Sequence, residues 1–353
     1  MDLTSSHTTA DNSDILFARR GAAGVVTLNR PKALNAVTHE MVCALHRQLD
    51  AWADDAAITR VIVTAAGERA FSAGGDIRAL YDLGRAGKQE EALTFFREEY
   101  TLNTAIKRYR KPYVALIDGI VMGGGFGVSV HGSHRVAGDR FAFAMPEVGI
   151  GFFPDVGGTW VLPRMPDQIG VWVALTGDRL KTADAVATGI ATHHVRSERF
   201  ADLTDALCGN VSVDATLAAF AEAAGEGPVI AKRDAVGRLF AGNAVEDILR
   251  ALDGASDEWA AAAATIRTKS PTSLRLALAQ VRCGRDWSFE QCMQAEMRIV
   301  SRVVYGHDFY EGVRAVIVDK DNAPRWQPAT LGEVTGAEVE RHFAPLDVEL
   351  RLS

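Results

Sequence analysis

Two carboxylates stand in a segment that offers them little water. The run from Phe141 to Pro163 is apolar, glycine-rich or proline-bearing, and its only charges are Glu147 and Asp155. They sit in Met145-Pro146-Glu147-Val148-Gly149-Ile150-Gly151-Phe152-Phe153-Pro154-Asp155-Val156-Gly157-Gly158. A carboxylate in such surroundings is poorly solvated, and its ionised form is disfavoured unless a partner compensates. Two placed together are a means of building an acid/base or nucleophile/acid pair. Taken singly, each has a plainer reading as a turn acid or helix cap. Asp155, between Pro154 and Val156-Gly157-Gly158, fits the cap of a following helix. As a pair they are read as catalytic.

The second chemical feature is glycine. Gly119-Ile120-Val121-Met122-Gly123-Gly124-Gly125-Phe126-Gly127-Val128-Ser129 follows a strand-like segment and opens a helix. Glycines there let backbone N–H groups approach a ligand without side-chain obstruction, or let a helix pack closely on a strand. The phosphate-binding spacings Gly-x-Gly-x-x-Gly and Gly-x-x-x-x-Gly-Lys-Ser/Thr are absent. The serine elbow Gly-x-Ser-x-Gly also fails, because Gly127-Val128-Ser129-Val130 runs into His131. An earlier loop, Ala73-Gly74-Gly75-Asp76, also follows a strand. One free N–H from each glycine segment could converge on a single oxygen as an oxyanion hole, suited to a thioester enolate or a tetrahedral intermediate.

Other chemistry-bearing residues have plainer readings. Asp76 fits a helix N-cap after Gly75. His131 and His134 are three apart, but no third ligand accompanies them, so no metal is expected. Arg30, Lys32 and Arg78 could meet phosphates, or they could simply be solvated.

The elements that must position these groups alternate in the first half. Ile15–Arg19 and Val25–Asn29 read as strands around a Gly21–Gly24 turn, followed by a helix from about Thr38 to Trp52, with Thr38 as N-cap. Val61–Ala65 and Tyr113–Ile117 read as buried strands, separated by the loop Phe71–Asp76 and a charged helix from about Glu90 to Arg108. His134–Ala137 and Phe141–Ala144 are further strand-like pieces. Strand, glycine loop, helix, strand is the order of an α/β fold with a parallel sheet. From about Ser197 the pattern becomes helical: Asp202–Cys208, Val213–Ala223, Val245–Ala251, Ala255–Lys269, Thr272–Arg282 and Phe289–Val304. The expected organisation is a polar tail over 1–12, a core over 13–200 bearing the site, and a helical region over 201–353 packed on that core.

Composition narrows the function classes. The 353 residues are 48% hydrophobic and 24% charged, as in ordinary globular proteins. A net charge of −7 gives no general attraction to nucleic acid or anionic membrane. An anionic ligand would have to be held locally. No uninterrupted apolar stretch approaches the ~20 residues of a membrane span, and Met1–Asn12 lacks the charged and apolar regions of a signal peptide. Four scattered cysteines (Cys43, Cys208, Cys283, Cys292) read as reduced thiols, which leads to an expected cytoplasmic location.

Four ordered motifs carry a resemblance to a known family. They are Leu28-Asn29-Arg30-Pro31-Lys32-Ala33-Leu34-Asn35-Ala36, Phe71-Ser72-Ala73-Gly74-Gly75-Asp76-Ile77, the segment Gly119–Gly127, and Pro154–Leu162. With them the chain resembles the crotonase (enoyl-CoA hydratase/isomerase) superfamily from about Ile15 to Val195, and Asp308–Ala315 fits as well. The resemblance implies a spiral of ββα units, an acyl-CoA substrate, no separate cofactor because coenzyme A is part of the substrate, and an oxyanion hole from the N–H groups of Gly75 and Gly124. Relatives often assemble as homo-oligomers, so self-association is a possible partner relation.

Family hydratases resemble one another in using two glutamates, one two residues after the triple glycine and one in the Pro-Glu segment. Glu147 matches the second, but the first position is Gly127. The Met145-Pro146-Glu147 and Phe153–Gly158 segments, Phe95–Tyr100, Lys111–Leu116, Ser129–Gly132 and Val318–Trp326 instead resemble the 3-hydroxyisobutyryl-CoA hydrolase branch. That branch implies thioester hydrolysis in valine breakdown, with Glu147 and Asp155 catalytic and Glu99, Gly75 and Gly124 touching the substrate. Glu147 would attack the carbonyl or activate water, and Asp155 would handle protons. An enoyl-CoA hydratase or isomerase using Glu147 and Asp155, and a non-catalytic acyl-CoA-binding protein, are the alternatives.

Overall fold

Among the described residues, ten strands carry the chain through two sheets. In the computed structural model, which describes residues 14–352, these are β1 (Ile15–Arg20), β2 (Ala23–Leu28), β3 (Arg60–Ala65), β4 (Ala70–Ser72), β5 (Tyr113–Ile117), β6 (Ile120–Met122), β7 (His134–Ala137), β8 (Ala142–Ala144), β9 (Leu180–Lys181) and β10 (His193–His194). The larger sheet has the order β1-β2-β3-β5-β7-β10 and is parallel except at β1/β2. The smaller runs β4-β6-β8-β9 and is parallel except at β8/β9. Successive turns each place one strand in each sheet. The spiral expected for the first half is therefore present. The tail expected over Met1–Asn12 lies outside the described residues.

The larger sheet is buried on both faces, which explains why β3 and β5 read as continuous apolar runs. Val61, Val63, Tyr113, Ala115 and Ile117 face the main core, while Ile62, Val114 and Leu116 pack under the helices Phe200–Leu207 and Val213–Phe220. Three helices lie close to the glycine loops: α1 (His39–Asp54), α2 (Ile77–Arg85) and α3 (Gln89–Lys107). Thr38 caps α1 by accepting from the Met41 N–H at 3.2 Å. Asp76 caps α2 from Ala79 N–H at 3.3 Å and pairs with Arg30 at 3.1 Å, so its plainer reading is the one observed. The glycine segment itself begins α4 (Gly123–Val130).

Two local expectations need correction. Phe71-Ser72, read as loop, belongs to β4, whose three residues are too few for an alternation to register. The stretch after Asp76, left without structure before Glu90, forms α2, in which only Leu80 and Gly84 are buried.

The C-terminal helices share the core of the spiral. Helix Phe289–Val303 packs on α3, and helix Pro271–Cys283 packs on Ile169–Thr176. Ser270 caps the latter helix by accepting from Ser273 N–H, with Pro271 at its first helical position. One hydrophobic cluster accordingly extends from Ile15 to Leu350. No helix among the described residues is long and apolar enough to cross a membrane.

Candidate active site

The two glycine loops meet. An ideal Cβ built on Gly124 would stand 3.1 Å from Gly75 N, and one on Gly74 would stand 3.9 Å from Gly124 N. Gly124 lies in the first turn of α4, where N–H groups have no intrahelical acceptor, and Met122 supplies no side-chain cap. Among the described residues the Gly75 N–H likewise has no backbone acceptor: the flanking bonds, Val37 N–H to Gly74 O and Asp76 N–H to Val37 O, pass on either side of it. Two neighbouring free donors on rigid backbone are what an oxyanion requires.

These loops form one wall of a cavity of about 410 Å³. The residues read from the sequence as the catalytic pair, the oxyanion hole and the acyl-group contact all line it: Glu147, Asp155, Gly75, Gly124 and Glu99. Apolar side chains, including Phe95, Phe96, Ile150 and Phe152, supply much of the rest. Glu147 opens the short turn after β8, and Asp155 follows that turn. Glu99 comes from α3, opposite the glycines, with Oε1 positioned 2.6 Å from where a Gly124 Cβ would be. Any side chain at Gly124 would displace it.

The three carboxyls are deeply buried, at 2% exposure for Glu99, 7% for Glu147 and 5% for Asp155. Glu99 Oε1 and Glu147 Oε2 have no hydrogen-bond partner within the protein's described residues. Burial raises the Glu147 carboxyl well above its ordinary range, and the neighbouring Asp155 raises it further. Glu99 is likewise raised, by burial first and then by Asp155 and Glu296. Asp155 is pushed by burial up to about 7, against a lowering by the Tyr100 hydroxyl. Tyr100 donates to Asp155 Oδ2 at 2.9 Å. Asp155 does not cap the helix that follows it: Gly157 is the N-cap, without a side-chain cap bond to that helix from its own residue.

Gly127 proves to be filled space as well as a missing carboxylate. A Cβ there would meet Asn103 Nδ2 at 2.9 Å, Val156 Cβ at 2.9 Å and Asn103 Oδ1 at 3.1 Å. The wall is closed where a hydratase glutamate would begin. His131 and His134 face different partners, the Val156 carbonyl at 2.8 Å and Asp214 at 3.0 Å. Of the basic residues considered for phosphates, Arg30 is engaged by Asp14 and Asp76, and Arg78 by Asp82.

Three further residues escaped sequence reasoning. Tyr100 is one turn-step past Glu99 on α3 and reads as a core aromatic. Glu296, fully buried in helix Phe289–Val303, reads as one more helical acid; burial and Asp155 push it up to about 8. Lys269, half-buried beside Gly149, is a cation lining the cavity, and burial lowers its ammonium. Only the lysine carried a usable signal, since it directly precedes the Ser270-Pro271 helix start.

Comparison with known proteins follows the same lines. The 3-hydroxyisobutyryl-CoA hydrolase, mitochondrial, of Danio rerio is 46% identical over 346 residues, covering 95% of this chain and 90% of that protein. The protein of the same name from Xenopus laevis is 46% identical over 354 residues, covering 97% and 91%. A crystal structure titled as a carnitinyl-CoA dehydratase from Mycobacterium thermoresistibile superposes with a TM-score of 0.93 at 44% identity, covering 97% of this chain and 99% of that one. The sequence model of the family described as Enoyl-CoA hydratase/isomerase matches residues 23–343, nearly the whole of the described chain. The protein therefore belongs to the enoyl-CoA hydratase/isomerase family.

Proposed function

We propose that the protein hydrolyses a short-chain acyl-CoA thioester, 3-hydroxyisobutyryl-CoA to 3-hydroxyisobutyrate and CoA, a step of valine breakdown. The observation that carries this reading is the shared cavity: two adjacent free N–H groups face a Glu147/Asp155 pair, and the position of a second hydratase glutamate is closed. The names of the full-length relatives support the hydrolase branch. The dehydratase title of the structural neighbour favours the runner-up, enoyl-CoA hydration, but that reaction would have to proceed without a carboxylate at Gly127. Neither the cavity nor the oxyanion donors need a cofactor beyond the CoA of the substrate.

The proton inventory gives the order of events. Burial raises both carboxyls, Asp155 to about 7, and we place the proton of the pair on Glu147 and the charge on Asp155, whose ionised form the Tyr100 hydroxyl favours. The thioester carbonyl oxygen accepts from Gly75 and Gly124 N–H, and its carbon is attacked by a Glu147 oxygen as Asp155 takes the Glu147 proton. Collapse of the tetrahedral oxyanion breaks the C–S bond, and Asp155 returns the proton to the leaving sulfur. Water then attacks the mixed anhydride, gives its proton to Asp155 and expels the Glu147 carboxylate. In the variant route Glu147 activates the water directly, and the same donors hold the oxyanion. Glu99, kept neutral by burial and by its acidic neighbours, is suited to donate a hydrogen bond to the acyl group.

The four free cysteines support a reducing compartment. The relatives carry the word mitochondrial in their names, which lends the cytoplasmic expectation no support.

The test is substitution at the pair. Glu147→Gln and Asp155→Asn should each lower thiol release by about two orders of magnitude or more, with the fold intact by circular dichroism. Wild-type turnover in either variant removes that residue from the mechanism.

A further inference from the structure

Asp155 is carried by an unusual piece of backbone. Val156 has φ +49°, a left-handed conformation that β-branched residues rarely adopt, and Gly157 follows at φ +88°. Such strain persists only where the surroundings over-determine it. Here the grip comes from three buried side chains on different elements. His131 Nε2–H donates to the Val156 carbonyl at 2.8 Å. Gln280, from helix Pro271–Cys283, donates to the Pro154 carbonyl. Glu296 accepts from Gly157 N–H through one oxygen and from Thr159 N–H through the other, both at 2.9 Å.

Glu296 is the informative member. Its side chain is fully buried, and among the described residues it has no cationic partner. A carboxyl group buried without a cation is costly to ionise, and a Ser or Asn near Gly157 could cap the same helix start. Instead the cap reaches in from a residue 137 positions away. On its other side Asp155 is fixed by the Tyr100 hydroxyl. Backbone clamp and side-chain hydrogen bond together leave the Asp155 carboxyl little freedom of direction.

We propose that Glu296 is a positioning residue for catalysis: from the C-terminal helical region it clamps the strained Pro154–Thr159 segment and thereby aims Asp155 into the cavity. This rests on the reading of Asp155 as the proton-transfer group. It also makes the C-terminal helices part of the working site, although none of their acidic residues lines the cavity.

The test is a cycle of Glu296→Gln and Asp155→Asn, followed by CoA-thiol release and normalised to folded protein. Glutamine keeps the size but sets an amide NH2 against one of the two N–H donors, so the segment is released at one N–H. Glu296→Gln should lower kcat by about 10- to 100-fold with KM little changed, the effect of a misaimed group. In the Asp155→Asn background the same substitution should change kcat no further, because the group it aims is gone. An undiminished kcat in Glu296→Gln, or full additivity with Asp155→Asn, overturns the proposal. Glu296→Asp carries the same test if the glutamine variant does not fold: it keeps the carboxylate, reaches only part of the clamp, and should lose its effect in the Asp155→Asn background. A wild-type rate in Asp155→Asn alone would overturn the role of Asp155 and the proposal with it. That result is distinct from a failure of the clamp, in which Asp155→Asn is impaired and Glu296→Gln is not.

Discussion

Restoring a glutamate at Gly127 should not create a hydratase, and the reason is steric before it is chemical. A Cβ at this position falls 2.9 Å from Val156 Cβ and about as close to both polar atoms of the Asn103 amide. Carbon atoms settle at ~3.5–4.0 Å, so Val156 or α4 must yield by roughly half an ångström or more. Val156 has little room to yield, being held at φ +49° with its carbonyl bonded to His131. Overpacking of this kind costs about 1–3 kcal/mol, against about 1 kcal/mol gained by replacing glycine with alanine in a helix. Gly127→Ala should therefore lose on the order of 1 kcal/mol, read by differential scanning fluorimetry as a Tm lower by roughly 1–3 °C. Thiol release should fall too, since the displaced Val156 adjoins Asp155. Gly127→Glu should lose more stability, because it also adds a carboxyl against Asn103 and Val156, and it should leave crotonyl-CoA unhydrated. A Gly127→Ala variant with wild-type Tm and rate would refute the packing argument. A Gly127→Glu variant that hydrates crotonyl-CoA would refute the conclusion drawn from it.

Two further outcomes follow from the charges. Lys269 is a desolvated cation at the cavity wall, so Lys269→Ala should raise KM for acyl-CoA by roughly 3–10-fold with kcat nearly unchanged, and should weaken the salt dependence of KM; an unaltered KM would show that the phosphates bind elsewhere. Stability should rise as pH falls from about 8 towards 6.5. Asp155, at about 7, and Glu296, at about 8, hold protons that the unfolded chain has released, so their contribution is complete below the ordinary carboxylate range and lost as pH climbs through those values. Buried His131, held neutral with its value lowered to about 3, acts oppositely: its contribution is present above about 6.5 and lost as pH falls below that. The expected gradient between pH 8 and 6.5 is on the order of 1 kcal/mol per pH unit, shallower in Asp155→Asn. A Tm that falls on acidification across that window would contradict it.

How far the site was legible depended on whether its signal was local. Glu147 and Asp155 stood out because charges are rare in their segment, and the glycine pairs because each follows a strand. Glu99 looked like any acid of a charged helix, and only the family resemblance raised it; burial against Gly124 is a property of the folded chain. Glu296 gave no local sign at all, since its two partners lie in another segment more than 130 residues earlier. The large sheet was readable because its strands are buried on both faces over five or six residues. The small sheet was mostly not, because two- and three-residue strands leave no period to detect. The capping role available to Asp155 from its sequence neighbours went instead to Glu296, which leaves Asp155 free to face the cavity.

The most direct measurement is free-thiol release from 3-hydroxyisobutyryl-CoA, run beside hydration of crotonyl-CoA by the same wild-type preparation. Rapid release of CoA with negligible hydration is the predicted result. Hydration without thiol release would contradict it, and would mean that Glu147 and Asp155 perform the hydratase reaction without a carboxylate at Gly127.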